Sequence, residues 1–238
     1  MDEIYAIIPV SKFSNAKTRL SPFLELKERE NLLKAMLKDV TETLKPVVDE
    51  VVIVSADKDV LEYANELEVL TLVENEGLNL NTAIEQAMDW CREKTKKVLI
   101  IPSDIPLISK ANIDSVIESA KSLDFIIVPS KGGGTNGLII KPLSMDMKFG
   151  DFSFKNHVKE ANEKGFDVVI YDSFYMSLDV NTTEDLGEIM IHGSGSYTQS
   201  YLKSLKMEVI SIHGAARLKI KRKTSNCLMD WVIDYSIL

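Results

Sequence analysis

Two sets of charged residues in this sequence stand where chemistry can be done. Lys12, Lys17 and Arg19 follow directly on an apolar run, Ile4 to Val10. They fall within the stretch from Ile7 to Leu20 (IIPVSKFSNAKTRL), with Ser11, Ser14, Asn15 and Thr18 between them. Cations and small hydrogen-bonding side chains in one loop suit a polyphosphate ligand. A solvated turn leading into a helix explains the same charge and spacing, so the ends of the other strands must decide. The second set is acidic. Asp104 comes just beyond the apolar run VLIIP, and Asp179, in LDVNTTEDL, also follows an apolar segment. A carboxylate so placed can hold Mg2+, a hard cation bound by a few carboxylates plus substrate phosphates. Two of them on neighbouring strand ends could clamp one or two metal ions over a nucleotide triphosphate. The alternative for each is a capping or turn aspartate. Glu184 and Asp185 fit better in the first turn of the next helix, where negative charge is favourable.

Further loops carry unusual polar residues. Gly77, Leu78, Asn79 and Asn81 form a polar turn into a helix. Asparagine side chains and helix N-terminal amides can read a base edge or a ribose. An N-cap with a glycine turn accounts for Asn81 and Thr82 with no ligand at all. In GGGTNG, Gly132 to Gly137, the glycines would let a backbone approach a ligand and aim its amides at an anion, or simply make a hairpin turn. Phe149 to Phe154 (FGDFSF) follows, with Gly150 and Ser153 at a helix start, a plausible phosphate site. His157 comes one helical turn later; it either assists there or is a structural histidine. There is no zinc spacing, no GxxxxGK[ST], no GxGxxG and no Ser-His-Asp arrangement, which argues against P-loop and dinucleotide-binding readings.

These loops need a frame to hold them. Residues 4–10, 50–55, 69–73, 98–109, 125–130, 138–142 and 166–172 read as strands. Helices are expected over 25–44, around 59–67, and over 82–94 and 111–122, and turns running into helices over 149–165 and 177–190. The longest, 25–44, carries its apolar stripe on Leu32, Leu33, Met36, Leu37 and Val40, and Pro46 ends it. Strands alternating with helices predict an α/β fold with a mainly parallel sheet and helices on both faces. In such a sheet ligands gather beyond the carboxyl ends of the strands, where the cationic loop, Asp104 and Asp179 all fall. Residues 1–190 form this domain. Residues 191–238 read as a C-terminal extension that covers a sheet edge or meets a second copy, with Leu228, Trp231, Val232 and Ile237 as its apolar end. Arg217–Lys223 reads as a solvated basic strand face.

Composition bounds the function. The 238 residues are 45% hydrophobic and carry a formal net charge of −8, which suits a soluble acidic protein with a sizeable core. Non-specific nucleic-acid binding is not expected, because it needs a basic surface. The two cysteines, Cys91 and Cys227, match no metal spacing and suggest reduced thiols in the cytoplasm. No apolar run approaches the length of a membrane span, and the N-terminus lacks a basic, apolar signal region.

PVSKFSNAKTRL, the GLNLN turn, PSDIPLI, GGGTNGLIIKP, FGDFSFKNH and LDVNTTEDL occur in that order. Together they resemble the 2-phospho-L-lactate guanylyltransferase family of coenzyme F-420 biosynthesis, over about residues 4–190. More distantly the chain is similar to GT-A-type nucleotidyltransferases. The resemblance implies a three-layer α/β/α, Rossmann-like fold of the nucleotide-diphospho-sugar-transferase kind. It also implies transfer of GMP from GTP to 2-phospho-L-lactate or phosphoenolpyruvate, with pyrophosphate released. By this resemblance Lys17 and Arg19, helped by Lys12, hold the triphosphate, and Asp104 and Asp179 hold Mg2+. Gly77, Leu78, Asn79 and Asn81 face base or ribose, and Thr135, Gly150 and Ser153 hold the acceptor phosphate. A homodimer is expected. Two departures stand out. The loop before Arg19-Leu20 lacks the glycines of the distant relatives, and Asn181 and Thr183 replace the relatives' frequent Asp and Pro. Alternatives are another base, another acceptor such as 3-phosphoglycerate or a sugar phosphate, or a non-catalytic nucleotide-binding module.

Overall fold

The computed structural model describes residues 3–75, 77, 79–210 and 219–222. Seven strands make one sheet: β1 (Ile4–Pro9), β2 (Glu50–Ser55), β3 (Leu70–Val73), β4 (Lys97–Ile100), β5 (Phe125–Pro129), β6 (Thr135–Ile140) and β7 (Val168–Ile170). Their order is β3-β2-β1-β4-β6-β5-β7. β1 runs parallel to β2 and β4, β2 to β3, and β5 to β7; β6 runs antiparallel to both β4 and β5. The mainly parallel sheet is therefore as expected, with one reversed strand inside it.

Alternate side chains along each strand enter opposite cores, as a pleated sheet requires. Ala6, Ile8, Leu99, Ile126 and Ile139 face one layer of helices: α1 (Leu26–Leu44), α2 (Lys58–Glu66), α4 (Lys110–Ala120), α7 (Thr183–His192) and α8 (Tyr197–Ser204). Ile7, Val98, Ile100, Phe125, Ile127 and Leu138 face the other, made by α3 (Leu80–Cys91) and α5 (Ser153–Glu163). That is the expected α/β/α arrangement. α1 buries Leu32, Leu33, Met36, Leu37, Val40 and Leu44, the predicted stripe. Each such side chain contributes about 1.5–3 kcal/mol.

Several boundaries differ from expectation for identifiable reasons. β4 ends at Ile100, because Pro102 can donate no ladder hydrogen bond and the chain turns away there. β6 begins earlier than expected, at Thr135, because Thr135 and Gly137 pair with β5 across a bulge at Val128/Pro129. The glycine-rich segment is thus a tight β5–β6 hairpin, closed by Ser130 N donating to Gly134 O at 2.8 Å. A short helix, α6 (Phe174–Ser177), was not expected. Beyond α8, β8 (Met207–Ile210) pairs antiparallel with β9 (Lys219–Arg222) in a small second sheet. Arg222 ties it to α1 through a forked ion pair with Glu28 at 2.9 and 2.8 Å. Leu228, Trp231, Val232 and Ile237 lie outside the described residues, as do Arg217, Leu218 and Lys223 at the two ends of the basic run. No helix among the described residues is long and apolar enough to cross a membrane.

Candidate active site

The segment after β1 is built from two short 3-10 turns, Phe13–Asn15 and Thr18–Leu20. Phe13, Ala16 and Leu20 are buried and pin the loop to the core. Two distant side chains fix its backbone. Asp57 accepts from Phe13 N at 3.1 Å, and the buried Arg29 on α1 donates from Nη1 to Ala16 O at 2.7 Å. Lys17 sits between the turns in a left-handed conformation, φ 47 and ψ 46. That is uncommon for a side-chain-bearing residue and marks a constrained position. It aims the Lys17 ammonium at Asp104, with which it forms a mostly buried ion pair. A cleft of about 200 Å³ opens beside this pair, lined by Ser11, Lys17, Thr18, Arg19, Asp104 and Asn181 among others. Two of the three expected cations and one of the two expected carboxylates therefore meet. Lys12 is exposed and stands off the cleft lining.

The acidic turn is tied to the same place. Val180 N donates to Asp104 O at 2.9 Å, which sets Asp179 beside Asp104. Asp179 Oδ2 accepts from the Asn181 amide, while its Oδ1 is buried and has no partner among the described residues. A buried acceptor without a partner costs about 1–3 kcal/mol, so this oxygen calls for a donor or a cation. Among the described residues no group of three or more His, Cys, Asp or Glu could hold a metal ion, so a cation on Asp104 and Asp179 would take its remaining ligands from substrate or water oxygens. Asp185 lies in the first turn of α7, as expected, and completes a capping box with the N-cap Thr182. It is buried, accepts from Asn181 N at 2.7 Å and Thr182 N at 2.8 Å, and pairs with Lys131 of the hairpin.

The residues expected at the base or ribose have structural partners. Asn79, not Asn81, is the N-cap of α3, its Oδ1 accepting from Asn81 N and Thr82 N. The Asn81 side chain instead clamps the backbone of Phe149, accepting from its N at 2.7 Å and donating to its O at 3.0 Å. Asn81 thus connects the α3 N-terminus to the Phe149–Phe154 loop. Gly77 has φ 76 in the turn before α3. Leu78 lies outside the described residues.

Thr135, Gly150 and Ser153 form a neighbouring group. Phe154 N donates to Gly133 O at 3.3 Å and joins the hairpin to the start of α5. Gly150 has φ 128, a conformation strained for any residue with a Cβ, and its carbonyl accepts from Ser153 N at 3.2 Å. Thr135 stands at the start of β6, three residues before Leu138, which pairs with Ile100 at the end of β4. His157 is fully buried and bonded to Thr135 Oγ1 at 2.9 Å. Burial, and then the charge of Lys148, push its pKa down to about 4, so it is neutral. It is a buried partner of the site, not an exposed ligand group. Arg29 and Asp57 gave no signal in the sequence, where each is one charge among many at the start of a helix.

Comparison with known proteins supplies the context for this geometry. A family model described as "Guanylyl transferase CofC like" matches residues 4–223. The chain belongs to this guanylyl transferase family. A 2-phospho-L-lactate guanylyltransferase from Methanobrevibacter smithii is 60% identical, over 93% of this chain and 99% of that protein. The protein of the same name from Methanothermobacter thermautotrophicus is 52% identical, over 91% of this chain and 97% of its own length. Among solved structures, a candidate nucleotide-diphospho-sugar transferase from Desulfovibrio desulfuricans G20 superposes with a TM-score of 0.71 at 18% identity. It covers 86% of this chain and 95% of that chain. A nucleotidyl transferase from Methanothermobacter superposes with a TM-score of 0.59 at 16% identity, covering 86% and 100%. Both likenesses bear on the fold, which is the one anticipated.

Proposed function

We propose that this guanylyl transferase family member moves GMP from GTP to 2-phospho-L-lactate, a step in assembling coenzyme F-420. The observation that carries the reading is the Lys17–Asp104 pair in a cleft shared with Arg19. A phosphate oxygen of the acid attacks the α-phosphorus of GTP, the bond to the β-phosphate oxygen breaks, and pyrophosphate leaves. The attacking phosphate is already anionic at neutral pH, so no general base is required. Positioning and charge neutralisation dominate such transfers. Lys17 and Arg19 meet the triphosphate and stabilise the leaving group, with Lys12 joining from the exposed rim. Asp104 and the orphaned Oδ1 of Asp179 would hold Mg2+, which supplies charge neutralisation at the phosphates. Gly77, Asn79 and Asn81 border the nucleoside, and Thr135, Gly150 and Ser153 hold the acceptor phosphate. Phosphoenolpyruvate has the same phosphate and carboxylate and is the second acceptor to try, because small apolar differences discriminate weakly. The test is pyrophosphate release from each nucleoside triphosphate with 2-phospholactate, phosphoenolpyruvate and 3-phosphoglycerate. GTP with 2-phospholactate is expected to be fastest. No release from any pairing overturns the enzyme reading, and release with CTP but not GTP overturns the assignment of the base.

A further inference from the structure

His157 belongs to a directed chain of hydrogen bonds. The backbone N–H of Lys148 donates to His157 Nε2 at 3.0 Å. Nε2 is therefore the unprotonated nitrogen, and a neutral imidazole then carries its one proton on Nδ1. Nδ1 lies 2.9 Å from Thr135 Oγ1, so the bond runs from ring to hydroxyl. A hydroxyl has one proton to give. With an acceptor site already occupied by the ring N–H, the Thr135 proton must point elsewhere, and among the described residues Oγ1 has no second partner. Phe149 packs edge-on against the imidazole, with ring centroids 4.7 Å apart. Phe149 is itself held by the Asn81 clamp.

We propose that His157 is a positioning residue for the acceptor: its Nδ1–H fixes the Thr135 hydroxyl as an obligate donor, aimed at an anionic oxygen of the phosphorylated acid. The inference rests on the reading of Thr135 as part of the acceptor site. A hydroxyl free to rotate can present either a lone pair or a proton, and a lone pair repels an anion. A hydroxyl committed as donor gives a charge-assisted hydrogen bond at no cost in reorientation. The arrangement selects acceptors with an oxyanion at this point.

The experiment measures pyrophosphate release by the full chain, varying acid and GTP separately, for wild type, Thr135→Val, Thr135→Ser, His157→Leu and His157→Asn. Loss of one hydrogen bond to a charged group predicts an acceptor KM raised about tenfold or more in Thr135→Val and His157→Leu, with the GTP KM unchanged. Thr135→Ser keeps the hydroxyl, and the side-chain amide introduced by His157→Asn can still donate to Thr135, so both variants stay within about threefold of wild type. Nitrogen-15 NMR of the imidazole should show the Nδ1–H tautomer. An Nε2–H tautomer overturns the proposal. So do unchanged acceptor KM values in both Thr135→Val and His157→Leu, or equal increases in acceptor and GTP KM. Should His157→Leu not fold, Thr135→Val against Thr135→Ser carries the comparison. If wild type turns over no phosphorylated acid, the functional reading fails and this inference falls with it. A wild type that turns over while the Thr135→Val and His157→Leu variants match it overturns the inference alone.

Discussion

At the scale of single residues, the site depends on two charges that have exchanged water for each other. The Lys17–Asp104 pair is mostly buried, and removing one partner leaves the other charge uncompensated. Asp104→Asn should therefore cost turnover on the order of 10³-fold, by loss of a metal ligand and of the Lys17 anchor, while circular dichroism stays unchanged. Turnover near wild type would remove Asp104 from the mechanism. His157 gives a second prediction, about stability. Its pKa is pushed down to about 4 from an ordinary 6.5, chiefly by burial. The unfolded chain then binds the proton more tightly than the folded one. The stability is fully present above pH 6.5 and is lost as pH falls from there towards 4, by roughly 3 kcal/mol. In urea unfolding, the difference between wild type and His157→Asn should shrink by about that amount between pH 7 and 4. A constant difference would contradict it. Lys17 and Asp104 were legible in the sequence because each stands just past an apolar run. Arg29 was not, since nothing local distinguishes it from the other charges of ELKEREN. Asn81 shows the limit most clearly: the same side chain suits a cap, a base edge or a distant backbone, and only the fold brings Phe149 to it.

At the scale of elements, the loops hold their places through contacts between segments far apart in sequence. The β5–β6 hairpin was readable as a glycine-rich turn, but its antiparallel direction within a parallel sheet was not, because apolar runs carry no sign of direction. Gly137 reports how closely the two strands approach. A Cβ there would lie 2.8 Å from Val128 Cγ2 and 3.1 Å from Val128 Cβ. Gly137→Ala should thus destabilise the protein by about 1–3 kcal/mol through overpacking, read as a lower urea midpoint at unchanged slope. No change in midpoint would mean that the hairpin yields freely. The last helix has a different anchor. Asp39 on α1 is buried and accepts from Tyr197 N, Thr198 N and Thr198 Oγ1, at 2.8, 2.8 and 2.5 Å, at the start of α8. Desolvation raises the Asp39 pKa despite these donors, so the carboxylate is held against a cost of burial. Asp39→Ala leaves buried donors unsatisfied and should cost about 1–3 kcal/mol, with faster amide exchange concentrated in α8. Exchange rising evenly over the whole chain would show that α8 does not open by itself.

At the scale of the whole molecule, a chain of net charge −8 keeps its site cations at one sheet edge, which favours a small anion over a long polyanion. The fold class was legible because strand and helix periods alternate along the chain. The site was legible only as loops, because the distances between them are set by strand order, which local pattern does not encode. The dimer remains a proposal of the same scale, checked by light scattering at micromolar concentration, where a monomeric mass would reject it. The charge arrangement makes a stronger prediction. Lys17 cannot serve the triphosphate fully while it pairs with Asp104, and the proposed cation on Asp104 and Asp179 would free it. GTP and Mg2+ should then stabilise the protein more together than the sum of their separate effects. At a hundredfold excess over Kd, Mg·GTP should contribute about 2.7 kcal/mol. For a chain of this length that is a rise in Tm of roughly 5–10 °C. GTP with EDTA should give less than half of that shift. In Asp104→Asn, Lys17 is released from the start, so GTP alone should stabilise at least as well as in wild type, and added Mg2+ should contribute little. Equal shifts with and without Mg2+ in wild type would show that the two carboxylates hold no metal when nucleotide is bound.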